Sequence, residues 1–334
     1  MPLSPTSSDS LPSVTDIEDA ATLLKGVVVE TPLLESPLLN AAVGGRVIVK
    51  PECLQRTGSF KYRGASNRIR RLDKAGLAAG VVAYSSGNHA QGVALAARDA
   101  GTKAIIVMPQ DTPAIKIANT KAYGAEVRLY DRFGAQDRAD IALEIAKARG
   151  AVLIPPFDDP HIIAGQGTVG LEIDRQLSAI GVTPDQLLCC CGGGGLIAGT
   201  SLSLKARRPD LPIYACEPAD FDDTRRSLIS DRREVVDPDA RSICDALLSK
   251  QPGEMTFAIN RHTLSGALVA SDAEVRHAMR IAFTTLKLVV EPGGAIALAA
   301  LLAGRIEAKD RTSVVILSGG NTDPAFFAEV LCEE

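Results

Sequence analysis

The chain has no basic tract longer than short pairs such as Arg207-Arg208, and its formal charge of −4 gives no footprint for nucleic acid. No apolar run is long and uninterrupted enough to span a bilayer, so no membrane partner is expected. No pairing of Cys and His has the spacing of a zinc site. Internal repeats are absent, and so is low-complexity sequence past residues 1–14. That opening stretch is rich in Ser and Pro, with neither a basic end nor a long apolar run, and reads as a disordered leader and not a signal peptide. Cysteine is present, but Cys189, Cys190 and Cys191 sit together in an apolar run, and neighbours on a strand point to opposite faces. They read as buried free thiols of a reducing cytoplasm. A chain of 334 residues, 46% hydrophobic, can bury a large core in one or two domains.

What is present is alternation. Residues 16–26 carry Ile17, Ala20, Ala21 and Leu24 at helical spacing and end on a Gly. Extended runs at 47–49, 81–84, 104–108, 127–130 and 151–154 then alternate with helical patterns at 90–100, 114–123 and 139–149. Such alternation means a parallel sheet with helices on both faces. A second α/β unit follows: a helix over 165–180, a strand over 187–191, a helix over 196–206 and a strand over 213–216. Between 220 and 265 periodicity fades into loops or short irregular helices. Helices at 272–286 and 294–303 and a strand at 313–317 close the pattern.

Lys61 is the chemical anchor. It lies between Phe60 and a helical pattern carrying Ile69 and Leu72, after a polar turn with Gly58. In the first turn of a helix, the positive end of the dipole and the nearby Arg56 and Arg63 lower its pKa, which makes it a better nucleophile for a carbonyl.

Four further stretches could carry chemistry. Ser85-Ser86-Gly87-Asn88-His89 follows a strand and opens a helix, as either a helix cap or an anion site for a carboxylate. Gly192-Gly193-Gly194-Gly195 does the same after the next buried strand, and bare backbone at a helix N-terminus fits a phosphate. Gly193, Gly195 and Ala198, with Glu217 at the end of the following strand, also fit a dinucleotide fingerprint, which keeps a nicotinamide-dependent oxidoreductase open. Ser318-Gly319-Gly320-Asn321 puts a hydroxyl at the carboxyl edge of the last strand, in the usual ligand crevice of open α/β sheets. Glu217 with Asp222 and Asp223 offers hard oxygen ligands for Mg²⁺ or Ca²⁺, or merely solvated loop carboxylates.

In this order, with Gly165-Gln166-Gly167-Thr168 between them, the motifs resemble those of the fold-type II pyridoxal-phosphate enzymes, and most closely the threonine and serine dehydratases, with serine racemase as a near neighbour. The likeness runs over residues 16–325. It implies two open α/β domains of the tryptophan synthase β-like type, with the cofactor, pyridoxal 5'-phosphate, in the cleft between them. Residues 15–66 and 159–334 would form the large cofactor-binding domain and 67–158 a small mobile one.

By that resemblance Lys61 is the Schiff-base lysine and Phe60 a ring neighbour. Gly192, Gly193, Gly194, Gly195 and Leu196 cradle the phosphate, Asn88 meets the ring hydroxyl and Ser318 the pyridine nitrogen. Ser85, Ser86, Gly87 and His89 hold the substrate carboxylate region, Ser86 on the ring face opposite Lys61, with Arg138 near the pocket mouth. Glu217, Asp223 and the backbone of Phe221 form a metal site, and the assembly is a cytoplasmic homodimer.

The activity so implied is ammonia-lyase chemistry on L-threonine or L-serine in amino-acid degradation, giving a 2-oxo acid and ammonia. A hydroxyl against the ring nitrogen makes the ring a weaker electron sink, which suits prompt loss of a β-hydroxyl. Serine racemase, 3-hydroxyaspartate dehydratase and a dedicated dehydratase, for instance of hydroxyectoine degradation, stay open within the same fold. Pro155-Pro156-Phe157-Asp158 stands where racemase-like chains carry an asparagine, which favours elimination. Cys244-Asp245-Ala246 stands where relatives often read Ala-Asp-Gly, which leaves the substrate open. Because the chain ends about a dozen residues after Asn321, no regulatory domain and no feedback inhibition by isoleucine are expected.

Overall fold

The computed structural model describes residues 10–85, 87–112, 114–131 and 137–333. Their strands are β1 (Arg46–Pro51), β2 (Val81–Tyr84), β3 (Ala104–Pro109), β4 (Glu126–Tyr130), β5 (Val152–Leu153), β6 (Gln186–Cys190), β7 (Ile213–Pro218), β8 (Gly266–Ala270) and β9 (Thr312–Leu317). They form two sheets, in the orders β1-β9-β6-β7-β8 and β4-β3-β2-β5. Every pairing is parallel. Helices cover both faces, so the inner strands β3 and β6 are buried along their whole length, β3 as a continuous apolar run and β6 as one after Gln186. Cys189, Cys190 and Cys191 are buried and, with Cys53, Cys216, Cys244 and Cys332, unbridged.

Helix Lys61–Arg70 joins the two sheets. It packs on helix Asn88–Asp99 of the four-stranded unit and on helix Pro160–Ala179 of the five-stranded unit. The second contact depends on glycine: a Cβ on Gly165 would lie 2.7 Å from the Gly64 Cα and 2.9 Å from the Asn67 Cβ. On the same helix a Cβ on Gly167 would lie 2.8 Å from the Gly199 carbonyl oxygen, so helix Gly195–Lys205 is held equally close. The Gly165–Thr168 motif is thus a packing device.

Behind this junction lies a buried ionic cluster. The Arg63 guanidinium grips Glu52 (Nε–Oε2 2.7 Å, Nη2–Oε1 2.8 Å) and Glu172 (Nη1–Oε1 2.6 Å, Nη2–Oε2 2.9 Å). Lys50, 0% exposed, pairs with the same Glu172 at 2.6 Å. Two cations meet two anions, which is the condition for burying them.

Several expectations need correction. The helix expected from Gly165 begins at Pro160, because Asp159 accepts from the His161 and Ile162 N–H groups (both 2.9 Å) and Pro suits the first turn. The stretch 220–265 holds a regular helix, Glu254–Thr263, as well as Asp223–Ser230. Strand β8 and helices Pro37–Val43, Lys74–Ala79 and Pro324–Cys332 had no counterpart in the sequence reading. The helix from Asp272 keeps α geometry to Ile281 and widens over 282–286, ending on Lys287 in the left-handed region. Residues 1–9 of the leader lie outside the described residues. Its end at residue 14 overlaps the start of helix Val14–Leu24, which Ser13 and Asp16 open with a capping box.

Candidate active site

The motifs converge because parallel strands deliver their following turns to one edge of each sheet. The turn after β9 is stitched to the Lys61 loop. The Phe60 N–H donates to the Ser318 carbonyl (3.1 Å), and the Gly320 N–H donates to the Gly58 carbonyl (2.9 Å). Asn321 Nδ2 donates to the Thr57 carbonyl and to Asn88 Oδ1, both at 2.7 Å. Asn88 Nδ2 in turn donates to Glu291 Oε1 at 2.5 Å. One chain of amides therefore ties together the Lys61 loop, the start of helix Asn88–Asp99 and the turn after β9.

Lys61 opens helix Lys61–Arg70, partly buried, with Nζ donating to the Pro156 carbonyl at 2.7 Å and lying 5.2 Å from the Phe60 ring centre. Burial lowers its ammonium to about 8, opposed by Cys190 and Glu291. The cause differs from the expected one: Arg63 is spent on Glu52 and Glu172, and Arg56 on Asp99 at 2.9 Å.

Within the glycine run Gly194, left-handed at φ +91°, is the N-cap of helix Gly195–Lys205, and no side chain caps it. A helix start without a cap leaves its first N–H groups unsatisfied within the helix, a natural seat for an anion. Gly192 passes close to Leu247, where a Cβ would lie 3.0 Å from the Leu247 Cα, and the Phe157 ring packs on Gly193. Leu196 is buried in the first turn. The donor set and the bare backbone fit the phosphate of pyridoxal phosphate, and Lys61 fits its aldehyde. Ser318 is buried, near enough to Cys190 for its hydroxyl to lower the thiol's pKa.

On the facing side, Gly87 is the uncapped N-cap of helix Asn88–Asp99, and a Cβ there would meet nothing within 4 Å. Ser85 Oγ accepts from the Gly87 N–H at 3.2 Å. Arg138 is exposed, with its guanidinium over the Tyr84 ring (5.7 Å), next to this turn. Ser86 lies outside the described residues. His89 is buried, and Nε2 bonds the Ile154 carbonyl at 3.0 Å. Burial, and then the charge of Lys61, pushes it down to about 3, so it is neutral and donates to that carbonyl. Its contact is with the backbone leading to Pro156.

Glu217 and Asp223 are both buried. Glu217 accepts N–H bonds from Thr224 and Arg225, each 2.8 Å, while Asp223 Oδ2 has no hydrogen-bond partner. Burial, then the charge of Asp223, raises Glu217 to about 8, and burial raises Asp223 to about 7. An unpartnered buried carboxylate oxygen beside a second carboxylate fits a cation. Among the described residues no group of three or more His, Cys, Asp or Glu is placed to hold a metal, so any site depends on a backbone oxygen such as that of Phe221. Asp222 is turned away onto Arg225 and Arg226. Both Glu217 oxygens, which the dinucleotide reading would need for a ribose, accept N–H bonds at the start of helix Asp223–Ser230.

The sequence reading missed Glu291 and the Pro156 carbonyl. Glu291 is 2% exposed, and burial, then Asp245, raises it to about 8. Its one sequence signal is a carboxylate set directly before Pro292-Gly293-Gly294 in an otherwise apolar stretch.

A family model described as "Pyridoxal-phosphate dependent enzyme" matches residues 24–319. L-threo-3-hydroxyaspartate ammonia-lyase of a Pseudomonas species is 42% identical over 96% of this chain and 99% of its own. The crystal structure of T.th. threonine deaminase superposes with a TM-score of 0.87 at 43% identity, covering 93% of this chain and 99% of that one. Maize serine racemase superposes with a TM-score of 0.90 at 35% identity, covering 96% and 97%. The chain belongs to the pyridoxal-phosphate-dependent enzyme family, in its fold-type II branch.

Proposed function

We propose that the protein is an ammonia-lyase acting on a small L-β-hydroxy-α-amino acid, L-threonine or L-serine, and releasing a 2-oxo acid and ammonia. The observation that carries this reading is Lys61: an amine that burial holds near pKa 8, met by the Pro156 carbonyl, whose neighbour Phe157 packs on the glycine run that opens an uncapped helix. Pyridoxal phosphate, when bound, supplies the electron sink that loosens the α-proton and the β-substituent.

The protein's own groups do the rest. Gly192 to Leu196 hold the phosphate by N–H groups, Asn88 orients the ring hydroxyl, Ser318 meets the ring nitrogen and Phe60 packs at its side. Lys61 removes the α-proton; near its pKa at neutral pH it can take a proton and return it. Ser85, Gly87 and the start of helix Asn88–Asp99 receive the carboxylate, with Arg138 at the rim. Ser86 is assigned the opposite face by resemblance. His89 acts one step back, fixing the Ile154 carbonyl and so the segment whose Pro156 oxygen receives Lys61. We assign 15–66 with 159–334 to the cofactor unit and 67–158 to the substrate unit, in keeping with the two sheets. The orphaned Asp223 oxygen supports a hard cation at Glu217, Asp223 and Phe221. A homodimer and a cytoplasmic setting rest on family resemblance and on free thiols. No helix among the described residues is long and apolar enough to cross a membrane.

A second reading, 3-hydroxyaspartate as substrate, is favoured by a lysine at the cleft, Lys116, treated below. The test is a product assay on the purified holoenzyme with L-threonine, L-serine and L-threo-3-hydroxyaspartate, reading 2-oxo acid and ammonia. Release from at least one supports the assignment. Accumulation of D-serine without 2-oxo acid would move it to racemisation.

A further inference from the structure

Lys116 and Asp245 are 129 residues apart and meet at 2.5 Å, Nζ to Oδ2. Lys116 lies on helix Ala114–Ala122 of the four-stranded unit. Asp245 opens the turn Asp245–Leu247 of the five-stranded unit, so the pair spans the cleft. Its place in the site is fixed from two sides. Leu247 lies against Gly192 of the glycine run, and a Cβ on Gly293 would lie 3.2 Å from the Ala246 Cβ. Gly293 is two residues from Glu291, the partner of Asn88, and the charges of both Lys116 and Asp245 act on the Glu291 carboxyl.

The two partners are unequally buried. The Lys116 side chain is 16% exposed and that of Asp245 is 52%. The ammonium is the more enclosed member and loses more when left unpaired, whereas Asp245 can return to solvent at little cost. Lys116 is therefore a carboxylate-receiving group already in place, with an exchangeable occupant.

We propose that Lys116 is a specificity-determining residue that takes the second carboxylate of a β-hydroxy dicarboxylic amino acid, of the 3-hydroxyaspartate class, in place of Asp245. The proposal rests on the lyase reading above. Serine and threonine offer no group for this exchange, so the pair stays closed over them. The dicarboxylic substrate keeps Lys116 paired and frees Asp245 to water.

The experiment compares kcat/KM for L-threo-3-hydroxyaspartate with that for L-serine in holoenzymes carrying Lys116→Met, Lys116→Arg and Asp245→Asn. Loss of one charge-assisted hydrogen bond lowers that ratio about ten- to hundredfold in Lys116→Met. Lys116→Arg restores most of it, a rescue that a packing role would not give. Asp245→Asn, at an exposed position, raises the ratio by removing the competing anion, and it stays informative should Lys116→Met fail to fold. A ratio unchanged within about threefold in both Lys116→Met and Asp245→Asn overturns the proposal. So does a wild-type enzyme that eliminates serine but not hydroxyaspartate, and the lyase reading then stands. Failure of that reading looks different: no 2-oxo acid from any of the three amino acids in the wild-type holoenzyme.

Discussion

Replacing Arg63 by Met tests whether the helix that carries Lys61 is anchored by buried charge. The guanidinium makes four contacts of 2.6–2.9 Å to Glu52 and Glu172, and it also reaches Thr168 Oγ1 at 3.2 Å and the Val29 carbonyl at 3.3 Å. Its removal leaves Glu172 with Lys50 and the fully buried Glu52 with only the Thr31 hydroxyl (2.6 Å) as a hydrogen-bond donor among the described residues, and a buried pair broken from one side costs about 3–5 kcal/mol. With a urea slope of about 3 kcal/mol/M for a chain of this size, the midpoint falls by about 1–1.7 M. The pH dependence gives a sharper sign. In the wild type, burial raises the Glu52 carboxyl, but the charge and hydrogen bonds of Arg63, together with the charge of Lys50 and the Thr31 hydroxyl, hold the group below its usual value. That stability is present above the unfolded pKa and lost as pH falls through the folded one. Without Arg63, burial dominates and the folded pKa rises above the unfolded value, so stability is lost as pH rises. The deficit of the variant is therefore larger at pH 7.5 than at pH 5, read by urea titration followed by far-ultraviolet circular dichroism. A deficit below about 1 kcal/mol, or one larger at pH 5, would refute the anchoring argument.

Other expectations follow from the same geometry. Gly165→Ala puts a methyl 2.7 Å from the Gly64 Cα, and overpacking of this kind costs about 1–3 kcal/mol, visible as a lower urea midpoint. Asn321→Ala breaks the bonds to Thr57 and Asn88, and turnover should fall about tenfold while the fold survives in circular dichroism. With any cation chelated, Glu217 and Asp223 have folded pKa values raised to about 8 and 7. Each then contributes stability that is lost as pH rises from the usual carboxylate range toward those values. Adding Mg²⁺ or Ca²⁺ after EDTA should raise the melting temperature at pH 8 more than at pH 5, and Asp223→Asn should blunt the gain. Equal effects at both pH values would count against the site.

The strand-turn-helix order was legible because each site turn follows an apolar run and carries Gly, Ser or Asn, signals that are local in the sequence. What escaped was set by long-range packing. Helix Glu254–Thr263 hid because it buries Thr256 and Asn260, polar residues on its inward face that break the apolar period. Asp158, nearly a hundred residues upstream, caps it through the Glu254, Met255 and Thr256 N–H groups. Strand β8 sits at a sheet edge and is mostly half-buried, with no alternation to mark it. Arg63 looked like a charge acting on Lys61, and only the fold shows its two carboxylates, of which Glu172 lies in a different helix. The resemblance assigns His89 to the substrate carboxylate region, and the fold adds a bond from its ring to the Ile154 carbonyl that no local pattern shows. No local pattern announces Lys116 with Asp245, or Asn88 with Glu291, since each pair meets across the cleft.

The most direct test of the central claim, that Lys61 is the cofactor lysine, is the visible absorbance of the purified protein after pyridoxal phosphate is supplied, wild type against Lys61→Ala. The wild type should carry a visible chromophore that shifts on adding a β-hydroxy amino acid as 2-oxo acid appears. Lys61→Ala should fold by circular dichroism but lose both the lysine-linked band and turnover. An unchanged chromophore with unchanged turnover in Lys61→Ala would contradict the account.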